Sequence, residues 1–578
     1  MHDLVIRGGL VADGSGGPMR NGDVAIDGDR ITAVGKVDER ARREIDADGL
    51  LVTPGWVDVH THYDGQVTWD PEVSPSGWHG VTTVVVGNCG VGFAPVRPAE
   101  REWVIQLMEG VEDIPGTALA EGMSWRWQSF PEYLDEVAAM PRVLDVAAMV
   151  PHGALRAFVL GCDRNNATAS GDEISLMVKL VAEAVDAGAV GVSTTRTIAH
   201  MAKDGNAAAG TFAAPEELIA IGEALGRAGR RVFSVVTDHL LGVSGEAEFR
   251  WMAEVSKRAN VPVTYMVIDV PFTPGGWRTA LARGLAANRE GAWLVPQVAG
   301  KPASLMVGWE STYHLFSGHE TYKPPAALPL AERLTRLRDP EVRRAMLEEP
   351  LAFDNIFVGI IHSQLMNGNL FQLGDPPDYE PPREQSVSAK AESRGVPGLE
   401  LAYDLMLEND GKELLYTPLL GYTEGDMHAL REMLVHPSTV LGLGDGGAHV
   451  GFICDGSLPT FMLTHWARDR RRGETIALEH VVHLQTDRNA RLFGFDDRGR
   501  LAPGFLADVN VVDFDGLALC PVEMAYDLPA GGKRLVQGAT GYVATIKSGT
   551  VVREDGRFTG ERPGGLLRGP QPGPRPVS

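Results

Sequence analysis

The sequence predicts an α/β protein with a (β/α)8 TIM-like barrel and a small composite β-sandwich domain formed by both ends of the chain. Three observations lead to this fold class. Apolar strand segments alternate with helical segments through most of the 578 residues, short strands and turns occur at both ends, and polar residues follow many of the strands. A chain of this length exceeds one ordinary hydrophobic core, so we expect more than one packing unit.

The two ends of the chain share one pattern. Residues 1–53 contain short apolar strands separated by Gly-Asp and Asp-Gly turns, and residues 500–562 have the same character. Neither segment is long enough to close a stable sheet alone. We therefore predict one composite β-sandwich domain from residues 1–53 plus 500–562. The Pro-, Gly- and Arg-rich residues 563–578 are expected to form a flexible tail.

Residues 54–499 are predicted to form the barrel. Near-continuous apolar runs alternate there with helices such as 172–187 and 215–229, which indicates a buried parallel sheet. So many repeats favour a barrel over an open doubly wound sheet, and no GxGxxG or Walker-type loop occurs in the right context. After the strand that begins just after Pro54 and Gly55, the candidate strands are 81–86, 146–150, 189–193, 232–236, 261–266, 293–297, 356–361 and 440–443.

The composition argues against several kinds of partner. A formal net charge of -23 disfavours nucleic acid and anionic membranes, because both need a basic face. No apolar run approaches the ~20 residues of a membrane helix, and the N-terminus enters a strand without the features of a signal peptide. The four cysteines are scattered without CxxC spacing, so we expect reduced thiols and a cytoplasmic protein.

The most informative motif is the His-x-His pair that ends the first barrel strand. Because successive side chains on a strand point to opposite faces, His60 and His62 point the same way and can reach one metal ion. Reactive residues of a barrel lie at or just past the carboxyl ends of its strands. Later strand ends carry further candidates, namely Cys89, Arg196, Asp238, His239 and Asp445. A metal-dependent hydrolase is therefore the leading hypothesis.

Six local motifs extend this hypothesis over nearly the whole chain. They are residues Thr53–Asp64, Gly87–Pro95, His152–Arg156, Gly444–His449, Leu501–Asp508 and Gly560–Gly564. In these motifs the chain resembles the amidohydrolase superfamily and, more narrowly, its N-acyl-D-amino-acid deacylase (D-aminoacylase)-like group. A cysteine after the second strand, rather than a carboxylated lysine, is the specific pointer to this group.

The resemblance implies a role for each matching residue. His60 and His62 correspond to the metal-binding His-x-His, Cys89 to the metal-binding cysteine, and Asp445 to the strand-eight aspartate that contacts metal and acts as the base. Imidazole, thiolate and carboxylate donors suit zinc, with another divalent transition metal possible. The implied reaction is hydrolysis of a C–N amide bond by metal-activated water.

The chain also departs from the group at its other metal ligands. Family members bring two further histidines from strands five and six. The first corresponding segment offers Asp238 and His239, one or two residues out of register, and residues 263–269 contain no histidine. We therefore expect one zinc ion rather than two, with His239 as a weaker candidate ligand.

The expected substrate is a small-molecule N-acyl-D-amino acid or a related N-acyl compound. Residues 450–456 lack the arginine with which the group holds the substrate carboxylate. Arg196, whose guanidinium can bind a carboxylate bidentately, and His449 are the candidate substrate contacts, although a structural salt bridge explains Arg196 equally well. Two alternatives stay open: a cyclic-amide (hydantoinase-like) or lactone hydrolase, and a non-catalytic amidohydrolase-like scaffold. We also expect a homo-oligomer.

Overall fold

The computed structural model describes residues 1–227, 229, 231–238, 245–351 and 355–575. The chain begins with five short strands: β1 (His2–Val11), β2 (Arg20–Asp27), β3 (Arg30–Gly35), β4 (Ala41–Asp46) and β5 (Leu51–Pro54). β1 pairs antiparallel with β2 and parallel with both β4 and β5. Between β2 and β3 the chain turns at Gly28, whose φ of +57° is the left-handed conformation that glycine adopts without steric cost.

A sheet of eight parallel strands forms the centre of the molecule. Its first seven strands are β6 (Trp56–Asp58), β7 (Val81–Val86), β8 (Asp145–Pro151), β9 (Gly191–Arg196), β10 (Val232–Thr237), β11 (Val263–Val267) and β12 (Leu294–Val298). An insertion follows, with a separate sheet of β13 (Ala303–Val307), β14 (Phe371–Gln372) and β15 (Leu415–Leu420). The eighth strand of the central sheet is β16 (Val440–Leu441). The strands pair in chain order from β6 to β12, and β16 follows β12. An isolated parallel bridge between Thr61 and Gly446 joins the segments that follow β6 and β16, so the two edges of the sheet meet at its carboxyl side.

Burial explains why these segments are strands. Every residue of β7 and β8 is buried, as in parallel strands that are covered on both faces. The helix Gly171–Ala187 (α5) follows a capping box between Ser170 and Glu173, and Gly188, with a φ of +119°, caps its C-terminal end. The helices are α1 (Arg101–Glu112), α2 (Gly116–Gly122), α3 (Phe130–Ala139), α4 (His152–Leu160), α5 (Gly171–Ala187), α6 (Pro215–Gly226), α7 (Gly245–Ala259), α8 (Gly276–Arg289), α9 (Lys323–Ala326), α10 (Leu330–Leu337), α11 (Pro340–Glu348), α12 (Ile356–Met366), α13 (Val387–Arg394), α14 (Gly398–Met406), α15 (Glu408–Gly411), α16 (His428–Leu434), α17 (Leu458–Phe461), α18 (Leu478–Gln485) and α19 (Asp487–Leu492).

The strand predicted at residues 356–361 is wrong. These residues lie in α12, which buries Val358, Ile361 and Leu365 on one side. Ile361 and Leu365 belong to a separate hydrophobic core that the insertion between β12 and β16 forms. A short, continuous apolar run has no periodicity that distinguishes a buried strand from a buried helix. The packing of the insertion decides between the two.

The C-terminal strands complete the N-terminal sheet. They are β17 (Val509–Val512), β18 (Ala518–Leu528), β19 (Gly532–Thr540), β20 (Tyr542–Lys547), β21 (Thr550–Glu554) and β22 (Arg557–Phe558). β17 pairs with β5 and β20, so strands from both ends share one nine-stranded sheet, as the predicted fold class requires. β18 and β19 form a separate hairpin that leaves this sheet, and the main-chain nitrogen of Leu535 donates to the carbonyl oxygen of Val450 beyond β16.

The residues after 562, for which we expect a flexible tail, make main-chain hydrogen bonds to the barrel. Leu567 donates to Val146 of β8 over 2.8 Å, and Gly569 donates to Gly188 over 2.8 Å. The predicted boundaries of the domains stay predictions. In the described residues, we find no helix long and apolar enough to cross a membrane.

Candidate metal centre

The His-x-His segment continues β6 at the carboxyl edge of the barrel. The main-chain nitrogen of Thr61 donates to Val85 of β7, and that of His62 donates to Gly446 beyond β16 over 2.8 Å. The segment is therefore held between the two neighbouring strand ends. Both imidazoles face inward, and His60 and His62 are each only 2% exposed.

The fold brings four of the predicted residues together. Nε2 of His60 lies 3.3 Å from Sγ of Cys89 and 3.3 Å from Oδ1 of Asp445. Nε2 of His62 lies 3.7 Å from the same Asp445 oxygen. One ligand atom from each of His60, His62 and Cys89 lies within 4.8 Å of the other two. The first, second and eighth strands of the barrel thus contribute to one small cluster.

The backbone around this cluster is strained. Cys89, Asp445 and His449 have φ values of +54°, +42° and +49°, in the left-handed region that residues with a Cβ rarely occupy. Such conformations cost on the order of 1–3 kcal/mol each and persist only where the surrounding structure enforces them. The tight turns after the second and eighth strands aim the thiol of Cys89 and the carboxylate of Asp445 at the same point.

A glutamine behind His60 fixes the orientation of its ring. Nδ1 of His60 lies 2.5 Å from Oε1 of Gln297 on β12. An amide oxygen only accepts a hydrogen bond, so this contact assigns the proton of the ring to Nδ1. Nε2 is then unprotonated, and its lone pair can bind a metal ion on the side of Cys89 and Asp445. Sequence reasoning missed Gln297, because its only signal was a polar residue inside an apolar strand.

A second carboxylate, Glu112, reaches the cluster from the last turn of α1. Its Oε1 lies 3.2 Å from Nδ1 of His62, and its Oε2 lies 3.6 Å from Nε2 of His449. Glu112 is 1% exposed, and burial together with the carboxylates of Asp445 and Asp64 raises its pKa well above the ordinary value. It lies far beyond the end of β7, so no strand-end pattern pointed to it.

The electrostatics of the cluster disfavour charged side chains. Burial lowers the pKa of His60 to about 4, and burial with the neighbouring Asp455 and Asp58 raises the pKa of Asp445 to about 8. Burial also raises the pKa of the Cys89 thiol, with Glu112 as the largest charged contributor. A bound cation would reverse the direction for Asp445 and Cys89, because it stabilises the carboxylate and the thiolate, and it would keep His60 neutral.

Sequence reasoning also missed His200, which follows β9. Its Nδ1 lies 3.0 Å from the hydroxyl of Thr195, and burial lowers its pKa to about 4. A positive charge on His200 would lower the pKa values of His60, His62 and His449, which places it within electrostatic reach of the cluster.

The residues present fit a divalent metal ion. Nδ1 of His62, Oε2 of Glu112 and Oδ2 of Asp64 are buried without an aligned hydrogen-bond partner. Among the described ion pairs, Asp445 and Glu112 contact histidines and no lysine or arginine. A divalent cation would balance these groups in their ionised forms, and imidazole with thiolate is a donor set typical of zinc.

Of the remaining predicted residues, Arg196 is bound elsewhere, His449 contacts the cluster through Glu112, and His239 lies outside the described residues. Nε and Nη2 of Arg196 lie 3.0 Å and 2.9 Å from the carboxylate oxygens of Glu248, so its guanidinium already holds a carboxylate. His449 is partly exposed, with 26% of its side chain accessible. His239 lies outside the described residues, and the neighbouring Asp238 accepts from the main-chain nitrogen of Ile198.

Fold and site together define a parallel-stranded barrel with a candidate metal centre at its carboxyl edge. The model of the Amidohydrolase family matches residues 43–553. The chain therefore belongs to the amidohydrolase family.

Individual relatives confirm the resemblance to the D-aminoacylase group. D-aminoacylase of Alcaligenes xylosoxydans xylosoxydans is 39% identical over 193 residues, which cover 33% of this chain and 37% of that relative. The match therefore spans little more than a third of the length of this relative. A crystal structure of D-aminoacylase covers 98% of this chain and 100% of its own, with a TM-score of 0.63 and 24% identity. N-acyl-D-glutamate deacylase from Bordetella bronchiseptica, complexed with zinc and a phosphonate inhibitor, covers 98% and 99% with a TM-score of 0.61 and 22% identity. These two structures confirm the predicted fold class.

Proposed function

We propose that this protein is a zinc-dependent amidohydrolase that cleaves the C–N amide bond of an N-acyl-D-amino acid or a related N-acyl compound. One observation carries the proposal. Oδ1 of Asp445 lies 3.3 Å from Nε2 of His60, and this nitrogen lies 3.3 Å from Sγ of Cys89. The candidate base Asp445 thus lies next to the imidazole and thiolate groups that would bind the metal ion. The similarity to D-aminoacylase supports the choice of substrate class.

His60, His62, Cys89 and Asp445 would hold the ion. When bound, zinc lowers the pKa of a coordinated water from about 15.7 towards about 7 and polarises the scissile carbonyl. We propose one ion rather than two, because β11 contains no histidine where the group has one of its further ligands.

Asp445 would carry the proton through the reaction. Its carboxylate accepts a proton from the attacking water as the bond from oxygen to the carbonyl carbon forms. It then donates this proton to the leaving nitrogen as the C–N bond breaks, so a carboxylic acid and an amine leave and the carboxylate is regenerated. The tight turn at Asp445 keeps this carboxylate beside the donor set throughout.

The arginines near the site favour one alternative substrate class, because neither candidate position offers an arginine to hold a substrate carboxylate. Glu248 already binds the guanidinium of Arg196, and residues 450–456 contain no arginine. A neutral cyclic amide, which has no carboxylate to hold, is therefore the second candidate substrate class. His449, which is partly exposed beside Glu112, is the proposed substrate contact in either case.

A substrate panel with matched N-acyl-D-amino acids, N-acyl-L-amino acids and cyclic amides tests the proposal. We expect hydrolysis of N-acyl-D substrates and bound zinc by elemental analysis. Preference for cyclic amides would select the alternative, and a protein with neither metal nor activity would be the non-catalytic scaffold.

Variants separate the roles within the site. Asp445→Asn keeps an oxygen at the same place but removes the base, so kcat is expected to fall by about 10²–10⁴-fold. His60→Ala is expected to lose metal as well as activity. Full activity of either variant would refute the mechanism.

A cytoplasmic location and a homo-oligomeric state remain predictions.

A further inference from the structure

We propose that Glu112 is a positioning residue of the metal centre, which holds the Nδ1 side of His62 so that Nε2 faces the ion. The inference rests on the metal site of the proposed function, but it does not depend on the substrate. It would also assign a role to α1, which lies in the segment between β7 and β8 and contributes no strand to the barrel.

The first step of the argument is the different environment of the two imidazole nitrogens. Nε2 of His62 points towards Asp445, 3.7 Å away, whereas Nδ1 points towards Oε1 of Glu112, 3.2 Å away. The ring can present only one nitrogen to an ion bound by His60 and Asp445. The nitrogen on that side is Nε2, and Nδ1 then needs an acceptor for its proton.

Glu112 places an acceptor oxygen on this side of the ring, 3.2 Å from Nδ1 of His62. Nδ1 of His62 is buried without an aligned hydrogen-bond partner in the part of the chain that the structure describes, and Oε2 of Glu112 is likewise buried without a hydrogen bond, 3.6 Å from Nε2 of His449. His60 has its acceptor in Gln297 at 2.5 Å. Each histidine thus has an oxygen behind Nδ1, hydrogen-bonded in His60 and 3.2 Å away without alignment in His62. Such partners fix the tautomer and ring orientation of a metal ligand.

Glu112 is itself held by the loop that follows Asp445. The main-chain carbonyl oxygen of Glu112 accepts a hydrogen bond from the main-chain nitrogen of His449. The next residue, Asp113, accepts from the main-chain nitrogen of Gly451 over 3.1 Å and from the hydroxyl of Thr312 over 2.8 Å. The end of α1 is therefore anchored to the same loop that begins at the proposed base. This anchoring keeps the carboxylate of Glu112 at a fixed distance behind His62.

The test compares the zinc affinity of Glu112→Leu with that of Glu112→Gln. The two replacements have similar volume, but only glutamine retains an oxygen that can accept from Nδ1 of His62. Zinc dissociation constants are measured by competition with a chromogenic chelator on the full chain. We expect a 10–100-fold loss of affinity for Glu112→Leu and recovery of most of it in Glu112→Gln.

Glu109→Gln is the matched control. Glu109 lies three residues earlier on α1 and pairs with Lys203 instead of a histidine, so its loss should leave zinc affinity unchanged. Circular dichroism checks the fold of each variant, and Glu112→Ala replaces Glu112→Leu if the latter does not fold.

Cobalt(II) distinguishes a positioning residue from a direct ligand. If Glu112 acts through His62, cobalt-loaded Glu112→Gln keeps the ligand-field bands of the wild-type protein. A changed band pattern would mean that Glu112 binds the ion itself and would overturn the inference. Equal zinc affinity for the wild type and Glu112→Leu would do the same. Loss of affinity in a protein that hydrolyses no N-acyl substrate would uphold the inference while the proposed function fails.

Discussion

Replacement of Lys547 by methionine tests how the composite sheet is attached to the barrel. The ammonium of Lys547 on β20 lies 2.9 Å from Oδ2 of Asp145 at the start of β8, and 3.0 Å from Oδ1 of Asp508. The Lys547 side chain is 1% exposed. Methionine keeps most of the side-chain volume but removes the cation, so two buried carboxylates lose one shared partner.

The expected cost follows from what each carboxylate retains. Asp145 keeps Arg498, whose Nη1 lies 2.6 Å away. Asp508 keeps the main-chain nitrogen of Ser548 at 2.8 Å, which is a weaker partner for a buried charge. Removing one partner from a buried ion pair typically costs about 3–5 kcal/mol, and the remaining arginine favours the lower end, about 3 kcal/mol.

Urea denaturation at pH 7 measures this cost, with the midpoint of the first transition as the readout. The double variant Lys547→Met with Asp508→Leu should recover part of the loss, because it removes the carboxylate left without its cation. Lys36→Met is the control, since Lys36 is 83% exposed in its pair with Asp38. A free energy of unfolding for Lys547→Met within about 1 kcal/mol of the wild type would refute the reasoning.

Three further predictions concern the metal and acid stability. Gln297→Leu removes the acceptor behind His60, so zinc affinity should fall by about 10–100-fold in a chelator competition, and unchanged affinity would contradict the role given to this glutamine. Removal of metal by dialysis against a chelator should abolish hydrolysis and lower Tm, both restored by zinc, because a ligand present at 1,000 times its Kd stabilises the folded state by about 4 kcal/mol. Burial opposes ionisation of Glu380, but His465 and Arg470 outweigh it and lower its pKa from 4.5 to about 2. Its carboxylate therefore stabilises the fold above pH 4.5 by about 3 kcal/mol, and this contribution is lost as pH falls towards 2. Glu380→Gln should accordingly be less stable at pH 7 and lose less stability on acidification, and equal urea midpoints for the two proteins at pH 7 would refute this.

Much of the barrel could be predicted because its strands have one simple requirement. A parallel strand covered on both faces must be apolar along its whole length, and the predicted strand 81–86 coincides with β7. The same rule failed at residues 356–361, where an apolar run is a helix. A helix and a strand can both bury such a run, and only the neighbours in the insertion select one of them.

The candidate site was predictable in part for a similar reason. His60, His62, Cys89 and Asp445 stand at strand ends, and all parallel strands of a barrel end at the same edge. The contact of Arg196 with Glu248 is different, because it joins residues 52 positions apart, and nothing local in the sequence specifies it. From the sequence, a salt bridge and a substrate contact explained Arg196 equally well. The sequence did not identify Glu248 as the partner of the salt bridge.

The sequence by itself determined most of the alternation of strands and helices in the barrel, the shared sheet of the two chain ends and the donor types of the candidate metal centre. These depend on local patterns: apolar runs, turn residues and polar residues at strand ends. Only the tertiary structure decided which groups stand behind the donors. Gln297 and Glu112 reach His60 and His62 from a distant strand and from a helix, through contacts that depend on how those elements pack. Packing, rather than pattern, therefore sets the orientation of the two imidazoles.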